Sequence, residues 1–134
     1  MAEMQNDLSP EQVLKAVFEA FNRHDADGVM SYMSDDIVFE AIAGDQAYGS
    51  RIEGQDAVKA AFEGVWANFP DVQWRDARHF ACRDRGVSEW RFTATQPDGD
   101  VIEADGCDLF RFIDGKIVEK KAFRKNRPPV AAKA

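Results

Sequence analysis

One acid in this chain stands where a charge needs a reason. Along Glu103 to Lys125, EADGCDLFRFIDGKIVEKKAFRK, residues alternate: Cys107, Leu109, Arg111 and Ile113 fall on one side, Asp108, Phe110 and Phe112 on the other. Alternation with period 2 is that of a β-strand with two unlike faces. Asp108 thus shares its face with two phenylalanines, which should desolvate its carboxyl, and charges are rarely buried without a partner or a task. Such a carboxyl can donate or accept a proton, or hold a cation. Cations are at hand. Asp114-Gly115 supplies the two positive-φ residues of a type I′ turn, and on the return strand Val118, Lys120, Ala122 and Arg124 share one side. On the strand before, Ser88, Trp90 and Phe92 do the same. An aspartate facing a lysine or arginine is a structural ion pair about as often as a catalytic one, and both readings stand.

The elements that must position these residues can be read in order. Ser9-Pro10-Glu11-Gln12 starts a helix, with Ser9 at the N-cap, Pro10 at the first helical position and Gln12 closing a capping box. Val13, Val17, Phe18 and Phe21 recur at helical spacing to an end near Asn22-Arg23-His24. Asp25 caps a second, shorter helix through Val29, Met30 and Met33, which Ser34-Asp35-Asp36 breaks. Residues 37–41 read as a strand, and the glycine-bearing stretch 43–54 as a loop with a short strand around Tyr48 to Ile52. Gln55 to Asn68 is a third amphipathic helix, stopped by Pro70-Asp71. Strands over 72–82, 87–95, 101–113 and 117–123 follow, with turns at Arg83-Asp84-Arg85-Gly86, Pro97-Asp98-Gly99 and Asp114-Gly115. Helices first and hairpin-linked strands after predict an α+β fold with an antiparallel sheet. One domain over residues 1–126 and a flexible tail over 127–134 are expected.

Composition narrows the function classes. At 45% hydrophobic and 31% charged, the 134 residues are those of an ordinary globular chain with a sizeable core. No apolar run approaches the roughly 20 residues of a membrane helix, and no secretory signal opens the chain. Cytoplasmic location is the expectation, with Cys82 and Cys107 as small core residues rather than a disulfide. The net charge of −7 divides into +6 from Lys116 onward and −13 before it. So acidic a body argues against nucleic acid as a partner. His24 and His79 lack metal-site spacing, and no GxGxxG, Walker or GxSxG pattern occurs, which leaves a cofactor-independent, metal-free pocket.

The order of elements, the stretches FNRHDADGVMSYMSDDIVFE and RIEGQDAVKAAF, and the DLFRFIDGKIVE hairpin resemble the NTF2-like superfamily. More narrowly they resemble its SnoaL-like and ketosteroid-isomerase-like branch, over about residues 9–125. The resemblance implies a cone, with three helices from the N-terminal half packed on a strongly curved, mostly antiparallel sheet around a pocket. Asp108 matches the hairpin aspartic acid that, in the isomerases, donates to a developing oxyanion. Their general-base position falls on Ala41, with Glu40 one step off the face, and their tyrosine donor falls near Val17. Two of three catalytic positions are thus absent, and the chain is not a true ketosteroid isomerase. The cyclases' histidine partner is missing between Ser88 and Thr95, and the Asp-Arg-Asp set of the epoxide hydrolases is missing too.

Two functions follow. In the first, an enzyme isomerises, cyclises, dehydrates or hydrates a small organic substrate. Asp108 and Lys120 would be catalytic, with Trp90, Phe39, Phe110, Arg124, Tyr48 and Glu40 binding the substrate. In the second, the fold is a non-catalytic ligand-binding or dimerisation module. An empty pocket beside a neutral Asp108 would favour the enzyme; a cavity filled by side chains, with Asp108 locked to Lys120, would favour the module. A homodimer through the uncovered sheet face is expected under either.

Overall fold

The computed structural model describes residues 8–131. Helix α1 (Pro10–Asn22) begins with the anticipated capping box: Gln12 N–H donates to Ser9 Oγ at 3.2 Å, and Ser9 N–H to Gln12 Oε1 at 2.8 Å. Its apolar stripe buries Val13, Leu14, Val17, Phe18 and Phe21. Helix α2 (Ala26–Met30) is capped by Asp25, whose carboxylate accepts the Gly28 N–H at 3.0 Å.

The second helix ends three residues before the expected Met33, and Ser34, Asp35 and Asp36 belong to strand β1 (Met33–Glu40) instead. Tertiary partners explain the difference. The Gln55 side-chain amide donates to the carbonyls of Met30, Met33 and Ser34 at 3.3, 2.9 and 3.2 Å. Ile117 N–H donates to the Tyr32 carbonyl at 2.9 Å. Backbone acceptors that another helical turn would use are taken from outside the segment.

Strand β2 (Arg51–Glu53) and helix α3 (Gln55–Asn68) follow, then β3 (Gln73–Cys82), β4 (Arg85–Thr95), β5 (Val101–Ile113) and β6 (Lys116–Arg124). The six strands form one sheet in the order β2-β1-β6-β5-β4-β3, antiparallel except for the β1–β6 pair. The β5–β6 turn has Asp114 at φ 50 and Gly115 at φ 79, as a type I′ hairpin requires. Register shifts interrupt β1, β3 and the β5–β6 pair. Such bulges bend strands and deepen twist, and the sheet curls around the helices into an α+β cone. On the concave side α1 packs on β3 and β4, and α3 on β1 and β2. The core fills the space between, with Phe18, Phe21, Phe62 and Trp66 meeting Trp90, Phe92, Phe110 and Phe112.

Two further expectations meet the structure here. Cys82 is exposed at the end of β3 instead of lying in the core, and Cys107 is half-buried; neither is in a disulfide. Within the stretch read as a flexible tail, Val130 exchanges two backbone hydrogen bonds with Val101, at 2.8 and 2.7 Å, and the Arg127 guanidinium donates to the Glu103 carbonyl at 3.0 Å. This return covers the part of β5 that β6 leaves unpaired. Residues 132–134 lie outside the described residues. No helix among the described residues is long and apolar enough to cross a membrane.

Candidate functional site

Strand alternation puts Asp108 on the concave face, and the structure buries it completely, at 0% exposure. Both carboxylate oxygens are engaged. Lys120 Nζ donates to Oδ1 at 3.0 Å and the Trp90 indole N–H to Oδ2 at 2.9 Å. The lysine comes from one strand over and the tryptophan from the other side, since Asp108 pairs with Ala122 of β6 and Ser88 of β4. Trp90 can lie flat across β5 because its cross-strand partner is Gly106, where a Cβ would stand 2.6 Å from the indole ring.

The ammonium of Lys120 has a second, softer shell. Its Nζ stands 4.7 Å from the Phe39 ring centroid, 5.3 Å from Phe21 and 5.5 Å from Phe62. A desolvated ammonium over aromatic faces is attracted by the ring quadrupoles. With Phe110 also buried, the ion pair is enclosed by side chains. Asp108, Lys120, Phe39 and Phe110 line neither of the two surface clefts described below. Asp108 is thus held between Lys120 and Trp90 in a fully buried setting.

Other predicted residues lie elsewhere. A groove of about 970 Å³ follows the outward backbone and side chains of β4, β5 and β6 at residues 89–91, 105–107 and 121–125, and the 41–49 loop walls it. Glu40 and Tyr48 belong to that wall and are joined by a residue that sequence reasoning missed. Arg51 donates to the Glu40 carboxylate at 3.1 and 2.9 Å, and its guanidinium stacks 3.8 Å from the Tyr48 ring centroid. Glu40 raises the Arg51 guanidinium above its ordinary value. Only the β1–β2 register, which pairs Glu40 with Arg51, could have signalled this. Trp90 and Arg124 line the groove too, while their side chains turn inward to Asp108 and to Phe92. Arg124 lies 4.5 Å over the Phe92 ring, has no carboxylate partner among the described residues, and is pushed down by burial alone.

His79, noted in the sequence only for lacking metal-site spacing, stands opposite Ser88 on the neighbouring strand. Its Nδ1 shares a 2.8 Å hydrogen bond with Ser88 Oγ, the direction set by the imidazole tautomer. Burial holds the imidazole below its ordinary 6.5. A positive φ of 55 at Asp76, in the β3 bulge, shifts the alternation so that His79 turns inward beside Ala77. No pattern of residue types announces that shift. Among the described residues no group of three His, Cys, Asp or Glu could hold a metal ion.

Fold and site together define an NTF2-like α+β cone with a polar cluster at its centre. The chain belongs to the SnoaL-like domain family, whose model matches residues 14–120. Among solved structures it is similar to a candidate polyketide cyclase from Pseudomonas putida, with TM-score 0.79 and 16% identity over 88% of this chain and 92% of that one. It is also similar to AclR, a candidate hydroxylase from Streptomyces galilaeus, with TM-score 0.68 and 28% identity over 87% and 88%. A third is TerC, co-crystallised with polyporic acid, with TM-score 0.73 and 19% identity over 87% and 92%. No curated protein matches the chain.

Proposed function

We propose that this protein binds a small, partly apolar organic molecule and that Asp108, Lys120 and Trp90 form the polar end of its site. The observation that carries the reading is the fully buried Asp108–Lys120 pair inside a ring of phenylalanines. Apolar residues of similar volume would serve stability as well or better, so such a pair is weak as a stability device and points to function. In the bound state Trp90, Phe39 and Phe110 contact the apolar part, and Arg124 faces negative charge on the ligand. Glu40 and Tyr48, held together by Arg51, border the groove on the other side of the sheet. Asp108 then donates or accepts a proton while Lys120 stabilises developing negative charge, in an isomerisation, cyclisation, dehydration or hydration that needs no cofactor. The polyporic acid held by TerC supports a small-molecule ligand.

A second reading, binding without turnover, is favoured by one observation: Lys120 and Trp90 occupy both oxygens of the fully buried Asp108. A panel of small carbonyl, enol and epoxide compounds, screened by NMR line broadening and followed by mass spectrometry, separates the two. Binding that Asp108→Asn/Lys120→Met abolishes, with product formed by the wild type, establishes the enzyme. The same binding without product establishes the module. Binding unchanged in the double variant removes Asp108 and Lys120 from the site.

We also propose that two copies pair through the helix-free sheet face, where Phe80, Leu109 and Phe123 are 53%, 41% and 51% exposed. Large apolar side chains this exposed on one face favour a protein partner. Sedimentation of the wild type as a dimer and of Phe123→Lys as a monomer is expected; a wild-type monomer removes the pairing.

A further inference from the structure

Among the described residues, the strands turn three charged side chains to the concave face: Asp108, Lys120 and Arg124. They stand in successive rows. Phe110 faces Lys120, Asp108 lies between Ser88 and Ala122, and Gly106 lies between Trp90 and Arg124. Asp108 and Lys120 neutralise each other at 3.0 Å. Burial keeps the His79 imidazole, on the same face, below its ordinary 6.5 and therefore uncharged near pH 7. The buried stripes of α1 and α3 add no charge. One positive charge is left over, on Arg124, inside a chain whose formal net charge is −7. Arg51 and Arg91 meet the carboxylates of Glu40 and Asp105, which raise their guanidinium groups. Arg124 meets a ring instead. Its guanidinium lies 4.5 Å over Phe92, half-buried and pushed down by burial. It can reach that ring because the residue opposite Phe92 on the intervening strand is only an alanine, Ala104. Taking a charge partly out of water against an aromatic ring costs free energy that an apolar side chain in its place would not incur. An arriving anion would remove that cost.

We propose that the ligand is a carboxylic acid bound as its monoanion, its carboxylate on the Arg124 guanidinium and its aromatic or conjugated body running over Ala122 towards Asp108 and Lys120. The inference rests on the reading of the concave cluster as a small-molecule site, and adds the ligand's charge and the residue that selects it. Phe92 takes one side of the guanidinium and fixes it by a cation–π contact. The N–H donors of Arg124 have no hydrogen-bond partner among the described residues, and burial alone shifts the group. That forked set of donors matches the two oxygens of a carboxylate. One positive charge in excess also matches one negative charge. A dianion such as a phosphate monoester would bring a second charge that no group on this face neutralises. Along β6, Arg124 and Lys120 are four residues apart, about 13 Å of extended strand. Between them on the same face stands half-buried Ala122, whose methyl group leaves room for a flat body. A carboxylate held at Arg124 thus sets the far end of the ligand at the Asp108–Lys120 pair.

The test is an NMR titration that follows the Trp90 indole N–H and the Ala122 methyl group. The probes are two pairs: trans-cinnamate with its neutral amide, and benzoate with phenyl phosphate. The proteins are the wild type, Arg124→Gln, Arg124→Lys and Lys125→Gln. The wild type should bind cinnamate about tenfold or more tightly than cinnamamide, and benzoate more tightly than phenyl phosphate. Arg124→Gln should bring acid and amide to within about twofold of each other. Arg124→Lys keeps the charge without the fork and should retain a reduced preference for the acid. Lys125→Gln, exposed and next in sequence, should behave as the wild type. Equal binding of acid and amide by the wild type overturns the proposal. So does a preference that survives Arg124→Gln, tighter binding of the phosphate than of benzoate, or no binding of any of the four compounds. Neutral carbonyl, enol or epoxide compounds that bind the wild type and Arg124→Gln alike would leave the ligand-binding reading standing while this one falls, so the two failures remain distinct.

Discussion

Lys120→Met should lose about 3–5 kcal/mol of stability at neutral pH, because it strands the Asp108 carboxylate at 0% exposure with only the Trp90 N–H as partner. The methionine keeps most of the volume among Phe21, Phe39 and Phe62, so a cavity contributes little. A second substitution separates charge from packing. Adding Asp108→Asn removes the stranded charge and should recover more than half of the loss. Urea denaturation of the three proteins measures both effects. A loss below about 1 kcal/mol, or one that Asp108→Asn does not relieve, would show that the pair is not an isolated buried charge system.

Gly106→Ala should cost about 3 kcal/mol, with Gly64→Ala as its control. A Cβ at position 106 would meet the Trp90 ring carbons at 2.6 Å and would also press on the Phe123 carbonyl. Neither can yield freely, because the ring is pinned by its hydrogen bond to Asp108 and the carbonyl belongs to β6. Trp90 must tilt, and the N–H to Asp108 lengthens or breaks. At position 64, inside α3, nothing lies within 4 Å of the new methyl, and alanine should stabilise by about 0.5–1 kcal/mol. Denaturation midpoints give the energies, and the Trp90 indole resonance reports the geometry. If Gly106→Ala behaves like Gly64→Ala, the close approach of Trp90 to the β5 backbone is wrong.

Both experiments act on a cluster whose members were legible before any coordinates. Asp108 could be placed on an aromatic face because side-chain direction in a strand repeats every two residues, whatever the strand pairs with. The capping residues Ser9, Gln12 and Asp25 were equally plain, because a cap is a contact between residues three apart. What Asp108 and the caps share is locality: the physics that decides each lies within a few residues of chain. Lys120 and Arg124 were placed on the pocket face through the family resemblance; counting through the Asp114-Gly115 turn alone sets Lys121 opposite Asp108, and the register shift between Arg111 and Phe112 is what brings Lys120 to the concave face.

The tertiary structure decided the rest, and it did so through partners distant in sequence. The bulge at Asp76 turns His79 inward because β3 must follow the curl of β4, and a phase shift of that kind leaves no mark on the alternation of residue types. Arg51 reaches Glu40 only because β2 pairs with β1 in one register. Helix α2 stops at Met30 because Gln55 and Ile117 claim carbonyls nearby. Whether the space behind Asp108 is open or filled depends on how Phe21, Phe39 and Phe62, from three separate elements, share one volume. By itself the sequence determined the elements, the concave face and the acid on it; the three-dimensional packing determined that this acid is locked between Lys120 and Trp90, since close packing is a property of surfaces that meet only after the chain has folded.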